Sequence, residues 1–296
     1  MHQENYDKEE GLRRSSLWNI HQSPKHFKNT LDNPETPSPS FLFGIAVHKY
    51  ILEPDTFFDE YAIAPKVDRR TKLGKETWAA FTADCTANGK EALDEATFEK
   101  IKEMTQAVNE NPLAKEMLTG NHETEWYWTD PNTGEKLKAK CDNITTYNGK
   151  KYIVDYKTTD SCEDGHFERS AKRFGYQFQA GFYITGVAAN TGEECGFAFV
   201  AQEKKPPYAC RVYICSEGFI QTGKIQYRSY LDMYHECKIT NNWYGYEGPA
   251  VVPQPTLLMD DSERFARTTV ENAGESLYQS TFLSDDYLSE EEGEDI

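Results

Sequence analysis

The sequence predicts an α/β fold in which a central mixed sheet is flanked by helices. Three strand-like segments follow one another in the middle of the chain, separated by short turns, and two more follow after a helical stretch. Apolar residues at helical spacing before, between and after these strands predict the flanking helices. We expect one domain over residues 15–245, in which the first hundred residues are a helical elaboration.

The first part of the chain has weak and interrupted patterns. Residues 1–14 are charged and without periodicity, so we expect a flexible start. Ser15 and Ser16 are candidate N-caps for the next segment, which Pro24 divides into two short helices. A proline-rich loop covers residues 32–40, and the apolar density of FLFGIAVHKYIL after it predicts a buried helix.

The elements that follow are predicted from spacing and turn residues. A strand is expected around Thr56–Ile63, and apolar residues at helical spacing predict a helix over 97–110. HETEWYWTD and EKLKAKCDNITTY flank the turn PNTG, and Asn148-Gly149 leads into KKYIVDYKTT, so three adjacent antiparallel strands are expected. The remaining predicted elements are a helix at 174–189, strands at 194–202 and 207–215, and a helix at 217–238.

Charge and cysteine content exclude several classes of protein. The net charge is −17, but residues 259–296 carry −10 of it, so residues 1–258 are only mildly acidic, which is compatible with local DNA-binding patches. We expect the tail, residues 246–296, to be disordered. Seven cysteines without a C-x-x-C pair argue against a disulfide framework or a zinc site. The charged start and the lack of a long apolar run predict a soluble, cytoplasmic protein with no membrane association.

Two aspartates and a lysine on neighbouring strands carry the predicted chemistry. Asp155 and Lys157 alternate with apolar residues, so they share one face of their strand, and Asp142 lies on the preceding strand. Carboxylates that converge repel each other unless a hard cation lies between them, which makes Asp142 and Asp155 a candidate magnesium site. Lys157 beside it would orient or activate a water molecule and stabilise charge on a phosphate.

The segments KAKCDNIT, YIVDYKTTD and YQFQAGFY resemble, in order and spacing, the motifs of RecE-type and RecB-type nucleases of the PD-(D/E)XK superfamily. The resemblance is nearest to the RecE (exonuclease VIII) family and implies a restriction-endonuclease-like core. It implies that Asp142 and Asp155 hold the metal and that Lys157 is the catalytic lysine. Cys141 replaces the usual proline, and Asp155 replaces the commoner glutamate.

Two further motifs resemble this family, and a third element lies within YQFQAGFY. Gly44-Ile-Ala-Val-His48 resembles a G-x-x-x-H helix motif whose histidine lies near the metal. Glu123 corresponds to an acidic residue on the strand before the hairpin, although Glu125 shares its face and the sequence leaves the choice open. Gln179 and Tyr183 resemble a Q-x-x-x-Y element and lie one helical turn apart, so both can reach the same site.

Two basic segments also resemble the family. One contains Arg69, Arg70, Lys72 and Lys75, and the resemblance implies that these four residues grip DNA phosphates. The other is VAQEKKPPY at residues 200–208, which has no obvious chemistry and is expected to form a strand and turn at a subunit or DNA surface.

The resemblance implies a magnesium-dependent exonuclease, active also with manganese, that degrades linear double-stranded DNA from its 5′ ends and leaves 3′ overhangs for strand annealing. It further implies a phage or prophage protein in a bacterial host, a ring-forming homo-oligomer such as a tetramer, and an annealing partner like RecT. Two alternatives remain open at this point: a single-strand or structure-specific nuclease of the same superfamily, and a non-catalytic DNA-binding or DNA-mimic protein.

Overall fold

A mixed five-stranded sheet forms the centre of the protein. The computed structural model describes Tyr6 and residues 8–34 and 36–247. The strands in this part of the chain are β1 (Tyr61–Ile63), β2 (Glu91–Leu93), β3 (Asn121–Thr129), β4 (Lys136–Tyr147), β5 (Lys150–Thr159), β6 (Gly196–Glu203) and β7 (Cys210–Ile214). The order in the sheet is β3-β4-β5-β6-β7, with β5 and β6 parallel and the other neighbours antiparallel. The short strands β1 and β2 pair separately.

Helices cover both faces of this sheet. Those within the described residues are α1 (Arg14–Trp18), α2 (Pro24–Asp32), α3 (Pro39–Leu52), α4 (Phe57–Glu60), α5 (Lys72–Ala87), α6 (Glu95–Glu110), α7 (Pro112–Met117), α8 (Asp164–Phe174), α9 (Tyr176–Thr191) and α10 (Glu217–Thr240). None of them is both long and apolar enough to span a bilayer. The predicted α/β class, with a mixed sheet between helices, is confirmed.

The alternation of side chains along β5 divides the apolar core between the two faces. Val154 and Tyr156 pack with residues of α3, α6 and α7 on one side. Ile153 packs on the other side with residues of α8 and α9. Helices α1, α2, α9 and α10 form a third apolar cluster around Phe178 and Phe182. Because β5 is buried from both sides, its polar residues are held within the protein at fixed positions.

A close approach of α9 and α10 fixes α9 against the sheet. A Cβ atom on Gly223 would lie 1.7 Å from the carbonyl oxygen of Gln177, and one on Gly181 would lie 2.2 Å from the carbonyl carbon of Gly223. Only glycine allows the two backbones to approach this closely. The contact holds the N-terminal half of α9, which carries Gln179, beside β5.

The turns of the two hairpins use the residues that the sequence indicates. Asn148 and Gly149 both have positive φ, as a tight two-residue turn requires. In the β3–β4 turn, one carboxylate oxygen of Asp130 accepts hydrogen bonds from the backbone N–H and the hydroxyl of Thr133. Its other oxygen accepts from Arg228 of α10 at 2.6 Å. The turn is therefore tied to the last helix.

Two local predictions at the start of the chain are wrong. The first helix begins at Arg14, before Ser15, and no side chain caps it; the cap with a side-chain hydrogen bond is Ser23, at the second helix. Most of the strand expected at Thr56–Ile63 is helical, and only Tyr61–Ile63 is extended. Phe57 explains the second error, because its ring is buried against Tyr61 and a helical turn presents it to the core.

Other segments differ from the sequence predictions or were not predicted. The apolar helix α3 is buried on one side only, as Phe41 on its opposite face is 60% exposed. Within the N-terminal segment predicted to be flexible, Leu12 exchanges two backbone hydrogen bonds with β4. The sequence patterns predict none of the helices α5, α7 and α8. The expected disorder of the tail falls on residues 248–296, outside the described residues.

The Asp130–Arg228 contact predicts a pH-dependent stability. Burial would raise the pKa of Asp130, but hydrogen bonds from Arg228 and Thr133 outweigh it and lower that pKa. The contact therefore stabilises the fold above the unfolded-state pKa of the carboxyl and is lost as the pH falls through its folded-state pKa. We expect Asp130→Asn to lower the free energy of unfolding by about 1–3 kcal/mol at neutral pH, measured by urea denaturation.

The difference in free energy of unfolding between wild type and Asp130→Asn should become smaller below about pH 4. The matched control is Asp232→Asn, which removes the more exposed carboxylate partner of the same arginine and should cost less than about 1 kcal/mol. If this difference in free energy stayed constant across the pH range, the stabilisation could not be assigned to the Asp130 carboxylate.

Candidate functional site

Asp142 and Asp155 lie where β4 and β5 separate. The last regular pair between these strands is Asn143 with Val154, so the two aspartates stand immediately beyond it. The backbone N–H of Tyr156 donates to Oδ2 of Asp142 at 2.9 Å. The carboxylate of Asp142 thus replaces a carbonyl as the acceptor for β5, and this fixes it at the fork between the strands.

His48 reaches this fork from α3. Its Nε2 lies 3.0 Å from Oδ2 of Asp142 and 3.7 Å from Oε1 of Glu123. One donor atom from each of these three side chains lies within 4.8 Å of the other two. The helix motif that contains His48 and the two strand motifs therefore meet at a single place.

An unusual backbone conformation directs Glu123 to the cluster. Its φ is +51°, in the left-handed region, and the regular pairing of β3 with β4 skips it, although its neighbours His122 and Thr124 are paired. A local break of this kind turns a side chain away from the direction that strand alternation gives it. Glu125 instead accepts a hydrogen bond from Tyr127, so the structure selects Glu123 from the two glutamates that the sequence leaves open.

Asp155 has a different set of partners. It is 2% exposed, its Oδ2 lies 2.6 Å from Nζ of Lys157, and its Oδ1 accepts a hydrogen bond from the amide of Gln179. Gln179, which is buried on α9, thus has a carboxylate as its hydrogen-bond partner. Tyr183, one turn further along α9, is near enough for Asp155 and Asp142 to raise its pKa, after the larger effect of burial. No hydrogen bond from its hydroxyl is present within the described part of the chain.

Holding these acidic groups close together and away from water costs free energy. This cost shows in their pKa values. Burial, together with the charge of Asp142, raises the pKa of Asp155 to about 6. For Asp142 burial also acts upward, but the charge and hydrogen bond of His48 outweigh it and lower the pKa. Burial would lower the pKa of His48, and Asp142 raises it to about 8 instead. The cluster therefore favours a positive charge at its centre.

The donor set fits a divalent cation. It offers an imidazole nitrogen and carboxylate oxygens, and Oε1 of Glu123 is buried without a hydrogen-bond partner. Oxygen ligands suit magnesium, and a histidine with carboxylates suits manganese and its neighbours. Asp155 stands beside these three residues, and in the structure both its oxygens face Lys157 and Gln179.

Comparison with known proteins identifies the family of the chain. A family model described as a PDDEXK-like domain of unknown function (DUF3799) matches residues 14–250. The chain belongs to this family. No curated protein matches the chain.

Solved structures are similar to this chain to different degrees. A "putative exonuclease" from Eubacterium rectale is similar over 95% of this chain and 94% of its own, with a TM-score of 0.54 and 17% identity. A phage related exonuclease from Haemophilus somnus 129PT covers 81% of this chain and 100% of its own, with a TM-score of 0.33 and 15% identity. The family and the first of these structures assign the PD-(D/E)XK nuclease fold.

The contacts recorded for the basic segment involve residues other than the carboxylates of the site. Arg69 stacks on Trp78 with its Cζ 4.2 Å from the ring centroid, and Arg70 binds Asp68 in a bidentate contact. Lys72 opens α5 with a 92% exposed side chain. Within the described residues, no ion pair joins Arg69, Arg70, Lys72 or Lys75 to the site. Their exposure suits contact with a large anionic partner.

Three residues lie beside the site that no pattern in the sequence identifies as functional. Lys140 forms an ion pair with Glu123. The ring centroid of Tyr176 lies 5.5 Å from Nζ of Lys157. The guanidinium of Arg14 donates to the carbonyl oxygens of Phe174 and Gly175, at the junction of α8 and α9. Each depends on a contact between two different elements, which the periodicity of a single strand does not report.

The cluster predicts a measurable metal affinity. Asp142→Asn removes the carboxylate that faces His48, and we expect at least about a tenfold loss of manganese affinity in isothermal titration calorimetry. Asp59→Asn, at an exposed position on α4, is the matched control and should bind like wild type. Equal affinities in all three proteins would exclude a metal at this position.

Proposed function

We propose that the protein is a magnesium-dependent exodeoxyribonuclease of the RecE type, which degrades linear double-stranded DNA from its 5′ ends and leaves 3′ overhangs. One observation carries the proposal: His48, Glu123 and Asp142 converge at the fork of β4 and β5, with the Asp155–Lys157 pair beside them. This combination of a candidate metal site with an adjacent, partly buried ammonium group suits phosphodiester hydrolysis.

In this proposal, Asp142, Asp155, Glu123 and His48 hold the divalent cation. Magnesium bound there, or manganese in its place, would polarise the scissile phosphate and lower the pKa of a water molecule. The contacts of Lys140 with Glu123 and of Gln179 with Asp155 orient the two outer carboxylates. His48, Glu123 and Asp142 already converge, so these three ligands need no large rearrangement to bind the cation.

Lys157 supplies positive charge to the phosphate. Burial would lower its pKa, but the charges of Asp155 and Asp142 outweigh burial and raise it, so the amine stays protonated at neutral pH. A protonated amine donates hydrogen bonds to the attacking water or to the phosphate oxygen that gains negative charge. Asp155, held in turn by Gln179, positions it. Tyr183, partly buried on α9, lies near Asp155.

The polarity, the assembly and the partners rest on the resemblance to the RecE family. Its motifs occur in the same order along this chain, and the similar structure from Eubacterium rectale carries the name of an exonuclease. We propose that Arg69, Arg70, Lys72 and Lys75 grip phosphates of the duplex. We further propose a ring-shaped homo-oligomer, such as a tetramer, that passes the exposed strand to a RecT-like annealing protein in a bacterial cytoplasm.

Loss of the ammonium group should stop catalysis without unfolding the protein. We expect Lys157→Ala to slow magnesium-dependent digestion of linear duplex DNA by about a hundredfold or more, because the transition-state charge loses its partner. Lys151→Ala is the matched control, since Lys151 lies on the same strand but pairs with Glu193 at the surface. Asp155→Ala should be as inactive as Lys157→Ala, and full activity of either variant ends the assignment.

The direction of digestion is tested separately. A linear duplex labelled at its 5′ ends should release label as mononucleotides from the start of the reaction, and the same duplex labelled at its 3′ ends should retain it in a shortened single strand. Early release of 3′ label, or cleavage of circular DNA, would instead support the structure-specific or single-strand nuclease. Metal-independent binding without any digestion would support a non-catalytic protein.

A further inference from the structure

An exposed apolar stripe on α3 leads directly to His48. Residues 41, 45 and 48 fall on one face of a helix with 3.6 residues per turn, and Leu42 lies beside them. Phe41, Leu42 and Ile45 are 60%, 48% and 42% exposed. With a rise of about 1.5 Å per residue, Phe41 lies about 10 Å along the axis from His48. Large apolar side chains at the surface thus continue the line of a residue in the candidate metal site.

The opposite face of α3 is firmly packed. Ala46 and Val47 are buried in the core against β5. A Cβ atom on Gly44 would lie 3.3 Å from the hydroxyl of Thr158, the residue that follows Lys157. The helix is therefore fixed beside β5. Phe41 and Ile45 are exposed because they lie on the face of the helix that points away from the core.

Lysines flank the same end of α3. Nζ of Lys204 lies 3.3 Å from the hydroxyl of Ser40, and Nζ of Lys100 lies 4.4 Å from the ring centroid of Phe43. The pKa of Lys100 is lowered, first by burial and then by the charges of Lys204 and Lys205, so the three ammonium groups lie near one another. Lys204 also pairs with Asp160 at 2.8 Å. Lys204 and Lys205 belong to the segment VAQEKKPPY.

We infer that the stripe formed by Phe41, Leu42 and Ile45 receives unpaired bases of the DNA strand next to the cleavage site, while the lysines contact its phosphates. This inference rests on the proposed nuclease function. Exposed aromatic and aliphatic side chains and cations at the same end of a helix form a combination that can bind single strands, because every base offers an apolar face and every linkage a negative charge. Apolar side chains also insert between bases and unstack them.

The position of the stripe gives it a role in the reaction. A strand that enters the site must leave its complement, and bases released from the duplex lose their stacking partners. Phe41 would replace one of those partners at about two nucleotide lengths from His48, and Ile45 would replace another nearer to it. The basic segment around Arg69 would then hold the duplex, and the stripe would hold the unpaired strand.

Binding of a short, fluorescently labelled oligothymidylate tests the inference. Anisotropy is measured with the full chain in Ca²⁺ instead of Mg²⁺, and a gel verifies that the oligonucleotide stays intact. We expect Phe41→Ala to weaken binding about tenfold and Ile45→Ala to weaken it less, since loss of one stacking contact has an effect of this size. Phe41→Trp keeps an aromatic ring and should bind at least as well as wild type.

Two matched controls use apolar residues with similar exposure on another helix. Ile225 and Ile239 of α10 are 70% and 68% exposed, and their replacement by alanine should leave the affinity unchanged. Thermal unfolding of Phe41→Ala should match that of wild type, because the side chain is mostly in solvent. A loss of affinity shared equally by the α10 variants would overturn the inference, because it would mean general apolar binding.

Two other outcomes would also overturn it. Unchanged affinity in Phe41→Ala would exclude base contact at this helix. Dissociation of an oligomer by Phe41→Ala in sedimentation velocity, with the affinity of the dissociated chain unchanged, would assign the stripe to a second copy. The proposed function fails on a different measurement: wild-type protein that binds the oligonucleotide but does not digest DNA in Mg²⁺ would end the nuclease proposal and leave the base contact standing.

Discussion

The fold must hold carboxylates that repel one another close together at one point of the sheet. Asp142 and Asp155 lie side by side at the fork of β4 and β5, and Glu123 faces Asp142 from β3. Burial alone would protonate such a group. His48 and Lys157 oppose this with positive charge, held at 3.0 Å and 2.6 Å from their partners. A site of this kind stays charged only while every contributing element remains in place, so the fold around it must be rigid.

The architecture supplies this rigidity from several directions. Helix α3 is packed against one face of β5 and carries His48, whereas α9 is packed against the other face and carries Gln179. The glycines of α9 and α10 let the two helices meet backbone to backbone, which fixes the depth of Gln179. The same arrangement leaves one face of α3 in solvent. The candidate catalytic centre and the apolar stripe therefore share one rigid support.

Much of this arrangement is readable in the sequence, because strand alternation is a local property. The period of two in YIVDYK places Asp155 and Lys157 on one face, and Asn148-Gly149 gives the turn that brings Asp142 beside them. Other features escape it for a physical reason. The left-handed backbone at Glu123 breaks the alternation on which the prediction rests, and the pairing of Lys140 with Glu123 crosses between strands.

The sequence by itself determined the α/β class, the hairpin, the turns and the set of polar residues that the strands and helices could present, because each follows from periods of a few residues. Tertiary structure alone decided that Glu123 and not Glu125 faces Asp142, that both oxygens of Asp155 face Lys157 and Gln179, and that α3 exposes Phe41. These outcomes depend on how helices from distant parts of the chain pack against the sheet. Local periodicity shows which face of an element is apolar, but the neighbours of that face are set by the whole fold.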